Sequence, residues 1–466
     1  MLFTSQIFLF AFLPLVLIGW WTLPWPSARL AFLAGASYIF YGWWDWRFVP
    51  LMLASTTVDF VAGHLIARRD DGRTRKALLV GALSINLALL GVFKYAGFFL
   101  DSANGLGSAL GFGKPFPLLH LILPIGISFY TFNSMSYTID IYRRRVPPER
   151  SVLRFAAFVA LFPHLVAGPI VRYDTMAEQL RRLRPRLTAE FAGPALFLLT
   201  CGLVKKLIIA DTLAPSVNTL FAQHASLGLV GGWLAALGYS LQLYFDFSGY
   251  SDMAVGLALL LGFRFPQNFD SPFKSVNIAD FWRRWHMSLS FWLRDYLFIP
   301  LGGSRGGRLQ TLRNLGIVMF LGGLWHGAAL TFVVWGLAHG TFLAGHAVLR
   351  EQGLTPRWTW LNRAITFAFV VAAFVIFRAP NLGSAADILG SMIGLHGIEG
   401  GNRLVSLLDS RYALLIGGLL VFVNTVPNTW QIQFRSTLRT GFAFGLGLGT
   451  AILSIAAASP FLYYQF

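Results

Sequence analysis

The sequence predicts an all-α, polytopic membrane protein, and three observations carry that prediction. Of 466 residues, 56% are hydrophobic and only 12% are charged, where a soluble domain carries roughly a quarter; the mean hydropathy is +0.61. Apolar runs recur from one end to the other, each near the ~20 residues a helix needs to cross hydrocarbon, or somewhat short of it. Between the runs, arginines gather in short loops, as they do in the cytoplasmic loops of membrane proteins.

The runs fall at 7–24, 30–44, 48–66, 78–96, 117–141, 191–210, 229–247, 315–335, 364–378, 412–426 and 441–460. With broken segments between them, they imply roughly ten to twelve membrane helices. The first, "QIFLFAFLPLVLIGWW", has no basic residue before it and no small-residue cleavage site after it. It therefore reads as a retained span and not a removable signal. Most of the positive charge lies in 67–76, 142–150, 178–186 and the stretch from Arg264 to Arg313. Placing these in the cytoplasm puts both termini outside. The segment "FAAFVALFPHLVAGPI" (155–170) then has a basic loop on each side and is broken by Pro163, Gly168 and Pro169. Such a segment enters the membrane and returns on the same side, surrounded by protein or water.

The net charge of +17 would point to nucleic acid in a soluble chain. Here the loops account for it, so the expected partner is the bilayer and not nucleic acid. The single cysteine, Cys201, excludes an internal disulfide and offers no metal cluster. No internal repeat of the kind common in secondary transporters is visible, and "GGSRGG" (302–307) is a basic turn with no nucleotide-site setting. Residues 1–466 read as one integral-membrane domain, with N-terminal helices over 1–141, a core over 142–350 and C-terminal helices over 351–466.

Four stretches put polar groups at membrane depth, where ionisable side chains are expensive and mark functional pathways. They hold Asn133 and Asp140; Asp246 and Asp252; the Trp, Arg and His mixture of "NIADFWRRWHMSLSFWLRDYLFIPLGG"; and His326 within "LGGLWHGAALTFVVWGLAHG". Asp246 and Asp252 read as partners of the nearby arginines. The Trp and Arg residues of 281–294 fit an interfacial belt as well as an anion-binding mouth. His326 stands apart: it falls mid-run, has no acid in its own run and is flanked by Gly322, Gly323 and Gly327. Glycines there let another backbone or a substrate approach closely. Its neutral imidazole is suited to take a proton from a hydroxyl, although a buried structural histidine is the alternative. His339 and His346 read as structural. The chain carries no HExxH, GxSxG or SxxK motif, and His286 with His326 lacks the carboxylates a metal would need.

The ordered motifs "LPIGISFYTF", "HLVAGPIVR", "YFDFSGYSDMAVGLALLLGF", "FPQNFDSPF", "FWRRWHMSLSFWLRDYLFIPLGGSR" and "GLWHGAALTFVVWGLAHG" resemble the membrane-bound O-acyltransferase (MBOAT) family. The resemblance covers nearly the whole chain and is to the bacterial branch that serves alginate O-acetylation and teichoic acid D-alanylation. It implies helices, some re-entrant or interfacial, around a waist where funnels from the two faces meet. It also implies an enzyme of the bacterial inner membrane that passes an acyl group, most simply acetyl, from a cytoplasmic thioester to an acceptor outside. No cofactor is bound; acetyl-CoA or another acyl thioester, including one on a carrier protein, is the donor substrate. Periplasmic polysaccharide-modifying proteins are the expected partners.

The family's invariant histidine matches His326 and its second histidine position matches His286. Arg283, Arg284 and Arg294, with Trp285 and Asp280 on the same stretch, are then the expected donor-binding residues, since guanidinium groups fork onto phosphate oxygens. D-alanyl transfer from a carrier protein and a transporter of acyl units or ions are the competing readings. The end of the chain, "AAASPFLYYQF", reads either as an aromatic belt or as a relay in which Tyr463 takes the acyl group with help from His326.

Overall fold

The computed structural model describes residues 1–114, 116–117, 121–184, 186–398, 410–432, 434–435, 437–455 and 461–462, and among these it is helical with no strand. Five helical runs are long and apolar enough to cross a membrane: Pro26–Ala67, Gly72–Ala109, Ala189–Ala222, Leu330–Glu351 and Thr359–Arg378. Three shorter apolar helices, Phe8–Thr22, Arg411–Thr425 and Leu438–Leu453, accompany them. This is the build of a polytopic membrane protein. The first long run holds two of the predicted apolar stretches, divided by a tight turn at Trp46–Phe48 with Pro50 just beyond it. Proline is tolerated there because the first turn of a helix has no internal partner for its amide.

Packing groups the chain into two compact units, Met1–Leu196 with Ala254–Pro266, and Phe197–Met253 with Gln267–Phe466. In the first unit, buried polar groups satisfy one another. Asp59 accepts from Thr138 at 2.6 Å and Asn86 at 2.8 Å, and Ser55 donates to Asn86 at 2.6 Å. The broken segment forms the helices Val152–Ala160 and Phe162–Leu165, interrupted at Leu161. His164 within it is fully buried, with Nδ1 2.9 Å from Asn133 Nδ2 and Nε2 2.9 Å from the Phe158 carbonyl. Non-helical backbone at such a break is tolerable because protein surrounds it.

In the second unit, the predicted run 315–335 is not one helix. The Arg308–His326 helix ends at Gly327, whose backbone is extended, and Leu330–Glu351 starts after Ala329. His326 is therefore the last residue of a helix and not its middle. The two helices pack tightly through their glycines: a Cβ on Gly323 would lie 2.3 Å from the Phe332 carbonyl oxygen, and one on Gly336 2.4 Å from that of Met319. Only glycine allows this approach. A hydropathy run cannot register the break, because Gly, Ala and Leu are all tolerated in apolar segments.

Candidate functional site

The site is built on the second unit, and its least expected feature is the backbone at His286. The helix Ile278–Arg284 stops at Trp285, and Met287–Leu293 begins after His286, which has φ 44° and ψ 53°. A left-handed conformation is uncommon for a residue with a Cβ, so neighbouring contacts must hold it. Asn268 supplies them. Its carbonyl accepts from the Met287 amide at 2.9 Å, and its side-chain oxygen accepts from the Ser288 amide at 3.2 Å and hydroxyl at 2.9 Å. The same oxygen lies 3.2 Å from Nδ1 of His286, while Asn268 Nδ2 donates to Ser251 at 3.1 Å.

This network sets the tautomer. An oxygen that accepts from an amide can only accept from the ring as well, so Nδ1 of His286 carries the proton and Nε2 keeps its lone pair. Nε2 is buried with no hydrogen-bond partner among the described residues. A buried acceptor left open in this way is a place for a substrate N–H or O–H.

His326 is 5% exposed and enclosed by aromatic rings, with centroids 5.0 Å from Trp325, 5.1 Å from Trp335 and 5.2 Å from Phe377. Trp325 touches both histidines, its ring 6.0 Å from that of His286. On the other side Trp335 continues to His339 at 4.6 Å, whose Nδ1 accepts from Trp282 Nε1 at 3.3 Å. The structure thus brings His286 and His326 against one indole, that of Trp325. These aromatic rings enclose the imidazoles, and two of them, Trp325 and Trp335, bring buried indole N–H groups of their own.

Membership is settled at this point by comparison with known proteins. A family model described as "MBOAT, membrane-bound O-acyltransferase family" matches residues 144–385, which include His286 and His326. The chain belongs to the membrane-bound O-acyltransferase family. It is 42% identical to a probable alginate O-acetylase of Pseudomonas putida, over all of both chains. It is 38% identical to a peptidoglycan O-acetyltransferase of Helicobacter pylori over 86% of this chain and 81% of that protein. A teichoic acid D-alanyltransferase of Bacillus subtilis is 31% identical over 56% of this chain and 70% of its own length. The chain is thus a membrane O-acyltransferase, and the transporter reading falls away.

The other expected site residues meet different settings in this acyltransferase. Asp280 accepts from the Val276 amide at 3.1 Å and from Arg284 Nε at 3.0 Å, and Arg284 also lies 3.5 Å from Asp270. This pair braces the short helix. Arg294 is bound to Asp295 at 2.6 Å and lies over the Phe291 ring. Trp285 is packed among Phe269, Phe281 and Phe374, with centroids 5.0 to 5.7 Å away. Arg283 is exposed and lines a hollow with His346 and Arg350.

Asp246 and Asp252 pair with lysines and not with the arginines expected from the sequence. Lys205 reaches Asp252 at 2.6 Å, and Lys206 reaches Asp246 at 2.8 Å and Asp211 at 2.7 Å. The two lysines follow one another in a π-helical turn, Val204–Ala210, and neighbours in sequence on such a turn serve different acids on the Leu229–Leu260 helix. Asp246 also accepts from the Leu462 amide at 3.0 Å, while the Phe461 ring lies 4.4 Å from Tyr250 and 6.0 Å from Phe247. Phe247 in turn meets His286 at 4.8 Å. Tyr463 lies outside the described residues, one position beyond this docked pair.

Asn268, Trp325 and Trp335 were not singled out by sequence reasoning. The one available signal was "NFDSPF", whose asparagine sits among the family-like motifs without any chemistry of its own to mark it.

Proposed function

We propose that the enzyme moves an acetyl group from a cytoplasmic acyl thioester to the O-acetylation machinery of an exported polysaccharide, alginate or a polymer like it. The observation that carries this reading is the match to a probable alginate O-acetylase over the full length of both chains. His326 acts as general base. It takes the proton of an acceptor hydroxyl, whose oxygen bonds to the acetyl carbonyl carbon; the carbon–sulfur bond breaks, and the proton passes on to the leaving thiolate. The C-terminal end of the Arg308–His326 helix favours the imidazolium that forms in that step. His286, with Nδ1 committed to Asn268, offers Nε2 to orient the donor or the acceptor.

The immediate acceptor in this reading is the hydroxyl of Tyr463, which becomes an aryl ester as the thiol leaves. An aryl ester is more activated than an alkyl ester, so it hands the acetyl group to a periplasmic acetyltransferase or to the polymer. In this reading the enzyme works in the bacterial inner membrane with both termini outside. D-alanyl transfer from a carrier protein is the second reading, favoured only by the shorter match to a teichoic acid D-alanyltransferase.

The test is purified protein in lipid nanodiscs with radiolabelled acetyl-CoA. Release of free coenzyme A that is lost in His326→Ala is the expected result. Turnover of a D-alanyl carrier protein with no turnover of acetyl-CoA overturns the acetyl reading.

A further inference from the structure

Two hollows in the second unit adjoin one another away from the histidine pair. One, of about 310 Å³, is lined by Arg283, His346 and Arg350. The other, of about 490 Å³, is lined by apolar side chains including Phe342, Leu349, Ile365 and Phe369. They share Asn277, His346, Thr355 and Asn362, so they form one groove with a cationic end and an apolar body. Among the described residues, no aspartate or glutamate lines either part. Arg283 and Arg350 enter no ion pair among the described residues, whereas Arg284 and Arg294 are both tied to carboxylates. Unneutralised guanidiniums converging on one hollow form an anion site, and their forked geometry suits phosphate.

The setting says which phosphate. The walls of the groove are Leu330–Glu351 and Thr359–Arg378, both long and apolar enough to cross a membrane. Arg350 stands at the end of the first and Thr359, which also lines the cationic end, at the start of the second. Beside it Trp358 and Trp360 are 64% and 67% exposed and stacked on one another at 6.2 Å. Exposed tryptophans at helix ends sit at headgroup level. Leu349 and Ile365 are exposed along the groove, so its apolar body opens sideways between two spanning helices, toward hydrocarbon. Its floor is closed by Phe342 stacked on Phe369 at 3.9 Å, with Phe369 against His339 at 5.1 Å. His339 and Trp335 then stand between that floor and His326, so a thioester seated in the groove would not face the base.

We infer that this groove is a binding site for a membrane phospholipid, with the phosphate held by Arg283, His346 and Arg350 and an acyl chain lying along Phe342, Leu349 and Ile365. The loop 352–358 between the two helices carries Arg357 and no acidic residue, and the proposed topology, with both termini outside, puts this end of the groove in the anionic cytoplasmic leaflet. Arg283, expected from the sequence to hold the donor, is assigned here to lipid.

The test uses the full chain, purified in mild detergent with added phosphatidylglycerol and weighed by intact-protein mass spectrometry after detergent exchange. The wild type retains phosphatidylglycerol, and the double variant Arg283→Gln, Arg350→Gln loses it. Gly345→Leu also loses it without any change of charge. Gly345 lines the apolar part and a Cβ there meets nothing within 4 Å, so the substitution starts in open space and takes up room in the groove. The Michaelis constant for acetyl-CoA stays unchanged in Gly345→Leu. Equal lipid retention in all three proteins overturns the proposal. So does a several-fold rise in the Michaelis constant of the double variant with lipid retention unchanged, because that result assigns the groove to the donor. If the double variant does not purify, Gly345→Leu decides alone.

Discussion

The side-chain oxygen of Asn268 lies 3.2 Å from Nδ1 of His286 and accepts at the same time from the Ser288 amide and hydroxyl. One carboxamide thus sets the tautomer of the histidine and holds the backbone on either side of it. The arrangement resembles the outer-shell partner of a ligating or catalytic histidine, which orients the ring by binding the nitrogen that does no chemistry.

Replacing Asn268 with alanine removes the acceptor shared by the Ser288 amide and the Nδ1 proton of His286, and a buried donor that loses its acceptor costs about 1–3 kcal/mol. The expected result is a lowered midpoint of thermal unfolding in detergent together with a fall in turnover. His286→Gln, which keeps a polar side chain at that position, should lower turnover with a smaller loss of stability. Equal losses of stability in the two variants would reduce His286 to a packing role.

His326→Ala should lower acetyl transfer by about 10²–10⁴-fold, the usual contribution of a general base, with membrane yield preserved. His326→Asn should fail as well, because its amide accepts no proton. Turnover of the asparagine variant near the wild-type rate would replace the base role with a positioning role. Single-turnover measurement with radiolabelled acetyl-CoA separates the two.

The Phe461–Leu462 pair is docked on Tyr250 and Asp246, which fits both an anchored belt and a presented tyrosine. Incubation with donor and no acceptor, followed by peptide mass spectrometry, should find acetyl on Tyr463. Tyr463→Phe keeps the ring and loses only the hydroxyl, so transfer should stop. Normal transfer in that variant leaves the belt alone standing.

Glu149 gives the first unit an acid limit. Burial alone would raise its carboxyl above the ordinary 4.5, but the Tyr173 hydroxyl, the Ser151 amide and the cations Arg154 and Arg181 outweigh burial and hold it below that value. A depressed value means that the carboxylate contributes stability above about pH 4.5, and that this contribution is lost as pH falls through the folded value. The melting temperature should drop steeply on the acid side of that point. Glu149→Gln should be less stable at neutral pH and should flatten the acid drop.

The apolar runs determined by themselves that this chain lives in a bilayer, because hydrocarbon tolerates no other composition and burial in it depends on side-chain type more than on sequence order. The long motifs around His286 and His326 determined the family, because those residues are written contiguously. What the tertiary structure decided are the relations between segments distant in the chain. Asn268 as the brace of His286 and Trp325 with Trp335 as the walls of His326 became visible only there. So did the lysine partners of Asp246 and Asp252, which sequence proximity had given to arginines. The break after His326 belongs to the same class. Gly327 takes an extended backbone because the next helix must turn back and pack its Gly336 against Gly323, and hydropathy, which averages over a window, does not register a turn made of residues as apolar as those around it.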